Sequence, residues 1–161
     1  VTCRGETRDL RRRLVERAEL VAERLGLDVV GQSEALTEAV RSLQAAHIPC
    51  SLFIEPEASA VDATVRIGAR MVEFHTGRYS EVFGSEQKKE LERITAACAS
   101  AFARGIAPHA GHGLNYRNVA PVAAIAHMQD LDIGHSIVAR AVMVGFTQAV
   151  REMRELIVTA K

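Results

Sequence analysis

The chain has 161 residues, 48% hydrophobic and 25% charged, which is one domain's worth of polypeptide with enough apolar content to bury a core rather than a disordered tail. Lys plus Arg and Asp plus Glu each number 20, and that zero formal charge argues against a general nucleic-acid binder, which carries a basic excess. No run approaches the roughly 18 consecutive apolar residues of a membrane span, and the Arg-rich amino end does not have the shape of a signal peptide.

In chain order, Leu10, Leu14, Ala18, Val21, Ala22 and Leu25 recur at spacings of three and four and predict a helix over 8–25, stopped by Gly26. Leu36, Ala39, Val40 and Leu43 predict a second helix over 33–46 with Ser33 as its N-cap. After Pro49 the pattern changes: 50–55 is a short apolar run bounded by prolines, which suits a buried strand. A helix over 58–67 and Gly68 follow, then a strand over 71–75 ending in Thr76-Gly77. A longer helix spans 85–103 and ends at Gly105. The next strand, 106–110, closes on Gly111-His112-Gly113. A shorter helix over 119–127 leads to a strand over 131–134 that stops at Gly134-His135. One last helix, 137–160, carries Val138, Ala141, Val142, Gly145, Ala149, Met153, Leu156 and Ile157 at helical spacing.

Strand and helix thus alternate at least four times, and such alternation requires a parallel sheet with crossover helices. The fold class is α/β. Four units fit part of a (β/α)8 barrel, which takes about 250 residues when complete, or a small open doubly wound sheet. No low-complexity tract or Gly/Ser linker divides the chain, so it reads as one domain, 1–161.

Each strand ends, on its carboxyl side, in groups useful for chemistry: Glu55; Glu73 and His75-Thr76-Gly77; His109 and Gly111-His112-Gly113; Gly134-His135-Ser136. Sites of parallel α/β folds form at that end of the sheet. A single histidine there is more often a hydrogen-bonded structural residue, but four at successive strand ends favour function. The two Gly-His turns follow the last two strands, where barrel enzymes often hold phosphate. There, glycine lets backbone N–H groups approach an anion and a helix N-terminus adds a favourable dipole. A histidine beside such a site can exchange protons near neutral pH, since its ordinary pKa is about 6.5. Glu73 alternates with Val72 and Phe74 and so points the other way, as a buried base of raised pKa or as the partner of an Arg or Lys. Arg78 and Tyr79, on a Gly-led loop, either bind substrate or are simply solvated. Arg11-Arg12-Arg13 reads as a solvated helix face, with anion binding as the other reading. Cys3, Cys50 and Cys98 lie far apart and in odd number, which fits reduced thiols in a cytosolic compartment, acting as small apolar residues rather than metal ligands.

Five ordered segments carry a resemblance: Gly-Leu-Asp-Val-Val-Gly-Gln (26–32), Ser-Leu-Phe-Ile-Glu (51–55), Val-Glu-Phe-His-Thr-Gly-Arg-Tyr (72–79), Ala-Gly-His-Gly-Leu-Asn-Tyr-Arg-Asn-Val (110–119) and Asp-Ile-Gly-His-Ser-Ile-Val-Ala-Arg-Ala-Val (132–142). From about residue 26 to the end, the chain resembles the carboxyl-terminal part of the pyridoxine 5′-phosphate synthase family of vitamin B6 biosynthesis. The resemblance implies a (β/α)8 TIM-type barrel, here its second half of about four βα units, with an unrelated-looking helix over 1–25 before it. It implies a cytoplasmic, oligomeric transferase-type enzyme. That enzyme uses no metal or organic cofactor and condenses 3-amino-2-oxopropyl phosphate with 1-deoxy-D-xylulose 5-phosphate. By the same resemblance His112 matches the proton donor, Gly113 the adjacent substrate-binding glycine, and Gly134 and His135 a substrate-binding pair, while Glu73 matches a strand-end glutamate placed for the active site.

The departures are specific. Ala22-Glu-Arg-Leu-Gly26 stands where the family has a Thr-rich Gly-Gly substrate contact, His109 where it usually has Asn, and Ala139 where it often has Gly. The family's first three strands, with the acceptor histidine and the catalytic glutamate, have no counterpart in these residues. The chain also begins with Val rather than Met, which points to a longer precursor or an incomplete chain. The expected activity is therefore the synthase, or else a half-barrel that binds phosphate esters without closing the ring; an unrelated small α/β phosphate-binding enzyme is the more distant reading. A half-barrel would leave both sheet edges unpaired, so self-association is expected, with neither nucleic acid nor membrane as partner.

Overall fold

A computed structural model describes residues 28–161. The predicted helix over 8–25 and the Arg11-Arg12-Arg13 cluster lie outside the described residues. The elements run α1 (Ser33–Ala45), β1 (Ser51–Ile54), α2 (Ala58–Ile67), β2 (Met71–His75), α3 (Gly77–Glu81), α4 (Gly84–Ala103), β3 (Ala107–Gly111), α5 (Val119–Ala123), β4 (Asp130–Asp132), α6 (His135–Val144) and α7 (Phe146–Ala160). The four strands form one sheet in the order β1-β2-β3-β4, each pair parallel, as the alternation predicts. The order is monotonic. Among the described residues it shows no reversal of the kind found in a doubly wound sheet, and successive staves of a barrel have the same order.

Strand alternation divides the sheet into two unlike faces. On one, Leu52 pairs with Val72 and Val72 with Pro108, and the next row is Ile54, Phe74, Ala110 and Leu131. Ile54, Val72, Phe74 and Ala110 are fully buried and join Val61, Ile67, Ile94, Cys98 and Ala101 from α2 and α4 in one core. Cys98 behaves as the apolar residue the sequence suggested: burial pushes its thiol up to about 11. On the other face the rows are Phe53-Glu73-His109-Asp130 and His75-Gly111-Asp132, and these side chains are half-buried or exposed. Among the described residues no helix is long and apolar enough to cross a membrane.

Several elements differ from expectation. Ser33 is the first helical residue and Gln32 the cap, without a side-chain cap bond. Residues 77–81 are a short helix rather than a loop. The helix predicted over 119–127 stops at Ala123, and His127 takes a left-handed φ of 70°. The last helix is two helices. Gly145, with φ 84° and ψ 152°, occupies a conformation closed to other residues and breaks the chain between α6 and α7. The apolar stripe consequently divides: Ala149 and Met153 of α7 are buried, whereas no residue of α6 is, and Val142 is 81% exposed.

Candidate functional site

The carboxyl ends of β2 and β3 meet in a loop held under strain. His112 has φ 75° and Gly113 φ 76°, two successive left-handed residues, and only the second is a glycine. A histidine there costs free energy unless its surroundings enforce it, a condition that concentrates at functional sites. The enforcement comes from Thr76, fully buried at the end of β2. Its N–H donates to the Gly111 carbonyl at 2.8 Å, and its hydroxyl is shared between the carbonyls of Gly111 and His112 at 2.8 and 2.6 Å. Downstream, the Asn118 amide donates to the Gly113 carbonyl at 3.2 Å and its Oδ1 accepts from Asn115 N at 2.7 Å. Tyr79 is buried and its hydroxyl donates to the Asn118 carbonyl at 2.9 Å. Arg78 pairs with the buried Glu90 at 2.9 Å. Tyr79 and Arg78 therefore brace α3 against this loop and α4; Tyr79 is buried, whereas the Arg78 side chain is 66% exposed, as the solvated reading of it expects.

The second Gly-His turn is stitched to the first. Gly134 caps α6, His135 opens it, and the Ser136 hydroxyl donates to the Leu114 carbonyl at 2.9 Å. His112, Gly113, Gly134 and His135 thus belong to one end of the sheet, with the start of α6 facing the loop that carries His112. His112 is held below its usual pKa, first by packing of its ring, then by the nearby charges of His75 and His135, with Glu81 opposing.

Glu73 lies one row deeper. A Cβ at Gly111 would collide with its Oε1, so its carboxylate lies against the bare β3 backbone. Among the described residues no Arg or Lys pairs with it. Burial first, and the Asp132 charge second, raise its pKa to about 7, against a smaller lowering by His75. Of the two readings of Glu73, the structure supports the carboxyl of raised pKa. His109, its partner in register, sits between Asp130 at 3.7 Å and Asp132 at 3.9 Å.

One pairing escaped the sequence reading. Glu55, just past β1, accepts from His75 Nδ1 at 2.6 Å and is held in turn by Arg93 of α4 at 3.3 Å, so its pKa is lowered, chiefly by the His75 bond. The only signal was that both residues stand at strand ends. A cavity of about 570 Å³ lies at the opposite, amino-terminal end of the sheet, lined by His47, Cys50 and Arg70 among others. It has none of the strand-end groups. Among the described residues no group of His, Cys, Asp and Glu is arranged to hold a metal ion.

Known proteins match this arrangement. The sequence model of the family described as "Pyridoxal phosphate biosynthesis protein PdxJ" matches residues 13–159. The chain belongs to this family. The match begins ahead of Gly26, so part of the amino-terminal stretch that looked unrelated is aligned with it. A pyridoxine 5′-phosphate synthase of Synechococcus sp. (strain CC9605) is 51% identical over 142 residues, 88% of this chain and 57% of that protein. Another from Synechococcus sp. (strain CC9902) is 55% identical over 132 residues, 82% of this chain and 53% of that one. A third, from Thermodesulfovibrio yellowstonii, is 51% identical and covers 88% and 58% respectively. The chain spans somewhat over half the length of these relatives. A chain of the Amycolatopsis orientalis BexX/CysO complex matches 80% of this chain and 49% of its own length at TM-score 0.52 and 19% identity, a likeness of fold alone.

Two outcomes follow from this geometry. A Cβ at Gly77 would stand 2.6 Å from His75 Nε2 and 3.2 Å from His112 Cδ2. Because Glu55 anchors the His75 ring, Gly77→Ala should lower stability by about 1–3 kcal/mol in urea denaturation; an unchanged midpoint would mean that the rings yield freely. For Glu73, the folded value of about 7 lies above the ordinary 4.5, so the folded chain holds more protons between those values and stability falls as pH rises through that window. Glu73→Gln should remove this fall. Above pH 7 it should stabilise the chain by about 1 kcal/mol, less than full linkage because the carboxylate is partly solvated. A parallel decline with pH in the variant would contradict the assignment.

Proposed function

We propose that residues 26–161 supply, as one domain, the second half of a (β/α)8 barrel that acts as a pyridoxine 5′-phosphate synthase in vitamin B6 biosynthesis. The substrates are 3-amino-2-oxopropyl phosphate and 1-deoxy-D-xylulose 5-phosphate. Its working form is a cytoplasmic homo-oligomer, and the edge strands β1 and β4 are where further staves would pair. The observation that carries this reading is the strained His112–Gly113 loop, clamped by Thr76 and stitched through Ser136 to the Gly134–His135 helix start.

In this reading the free backbone N–H groups at the start of α6, with Gly113 and His135, hold a substrate phosphate, where the helix dipole favours an anion. His112 donates the proton. Its lowered pKa makes it the stronger acid, and a bound phosphate dianion beside it offsets the depression enough to keep it loaded. Glu73, half-ionised near neutrality, acts on charge that develops deeper in the site or takes a proton from it.

The test is pyridoxine 5′-phosphate formation from the two substrates. The product of the complete reading frame should form it, and His112→Ala in that protein should lower turnover by roughly 100-fold or more, the usual scale for a general acid. Phosphate-ester binding should survive, because Gly113 and the Gly134–His135 turn remain. Unchanged turnover would remove His112 from its role, and failure of the unaltered protein to form product would overturn the activity.

A further inference from the structure

The Glu55–His75 pair is not used by the proposed mechanism, yet it is one of the most fully built polar features of the sheet. The His75 side chain is only 10% exposed, and its Nδ1 lies 2.6 Å from Glu55 Oε1. Glu55 is anchored by Arg93, which also pairs with Glu57 and the buried Glu90, so the carboxylate is fixed from α4 rather than left to rotate. An ionised carboxylate only accepts hydrogen bonds, so Nδ1 carries the hydrogen and Nε2 is the free atom of the ring. That Nε2 is buried and has no hydrogen-bond partner among the described residues. A buried polar atom left unpaired is costly and asks for a reason.

Its surroundings supply one. The His75 ring packs edge-on against Phe53 at 5.1 Å and against His112 at 4.7 Å, and Phe53 also closes on His112 at 6.3 Å. Gly77, with no side chain, leaves room for both rings, since a Cβ there would press on His75 Nε2 and the His112 ring together. Solvent does not reach Nε2, and the ring packed against this side of His75 is that of His112.

We propose that Glu55 and His75 are positioning residues that set the orientation of His112. The proposal rests on the reading of His112 as proton donor. Glu55 fixes the tautomer and plane of His75; His75 in turn gives His112 a rigid wall. The groups facing His112 are His75 from β2, His135 from α6 and Glu81 from α3. Glu55 is hydrogen-bonded to His75 rather than to His112, so it acts through His75. Those facing His75 are Glu55 from the end of β1, Glu73 from its own strand and His112 from the β3 loop.

Histidine-labelled NMR of the 161-residue chain tests this without any activity assay. In the unaltered chain His75 should be the Nδ1–H tautomer. His75→Gln removes the ring that walls His112, so the His112 Cδ2–H and Cε1–H signals should lose their displacement by the edge-on neighbour and broaden as the side chain gains freedom. Glu55→Met removes the acceptor while keeping the bulk. It should turn His75 to the Nε2–H tautomer and move the His112 ring signals in the same sense. An Nε2–H tautomer in the unaltered chain overturns the proposal even if both variants fail to fold. So do unmoved His112 ring signals in either folded variant. Loss of the synthase reading would leave these spectra unaffected, and unmoved spectra in an active synthase would refute this inference alone.

Discussion

The parallel ladder is the constraint on which everything else depends. With side chains alternating across each strand and the strands in continuous register, one choice of face fixes all of them. Burying Leu52, Ile54, Val72, Phe74 and Ala110 under the helices obliges Phe53, Glu73, His75, His109 and Asp132 to the other face. A slip of one residue in β2 would send Glu73 and His75 into the core and Phe74 out. Core packing therefore also specifies the site: the energy that holds the apolar rows together is what aligns the strand ends.

Above that ladder, local polar clamps do the finer placement. A left-handed His112 persists because Thr76 takes up the Gly111 and His112 carbonyls and because Asn118, itself held by Tyr79, takes up that of Gly113. The strain is carried by neighbours that are buried, and this keeps the His112 ring in one place. The same economy appears at Glu55, where α4 supplies Arg93 to anchor a carboxylate that anchors a histidine. PdxJ family membership fits these features, and the fold places the two Gly-His turns at a common end.

Much of this was legible in the sequence. Val72 and Phe74 alternating around Glu73, and glycine at the close of the last three strands, are direct consequences of a sheet covered by crossover helices, so strand positions and their parallel order could be read. The residues at the strand ends, His112, Gly113, Gly134, His135 and Glu73, could be picked out for the same reason. The break at Gly145 could not, because a glycine within an apolar stripe has the same spacing whether its φ is negative or 84°. Nor could the Glu55–His75 bond, which joins residues 20 apart and exists only once β1 and β2 are in register. Tyr79 and Arg78 looked available because charge and a hydroxyl on a Gly-led segment resemble a loop. Their partners, Asn118 and Glu90, lie in other elements.

The central claim is that the register gathers an anion-holding, proton-exchanging site at the carboxyl end of this sheet. Titration of the labelled chain with inorganic phosphate, followed by backbone amide shifts, tests it most directly. The account predicts saturable changes concentrated at 111–113 and 134–136. Absence of saturation, or changes centred on the amino-end cavity around His47 and Arg70, would contradict it.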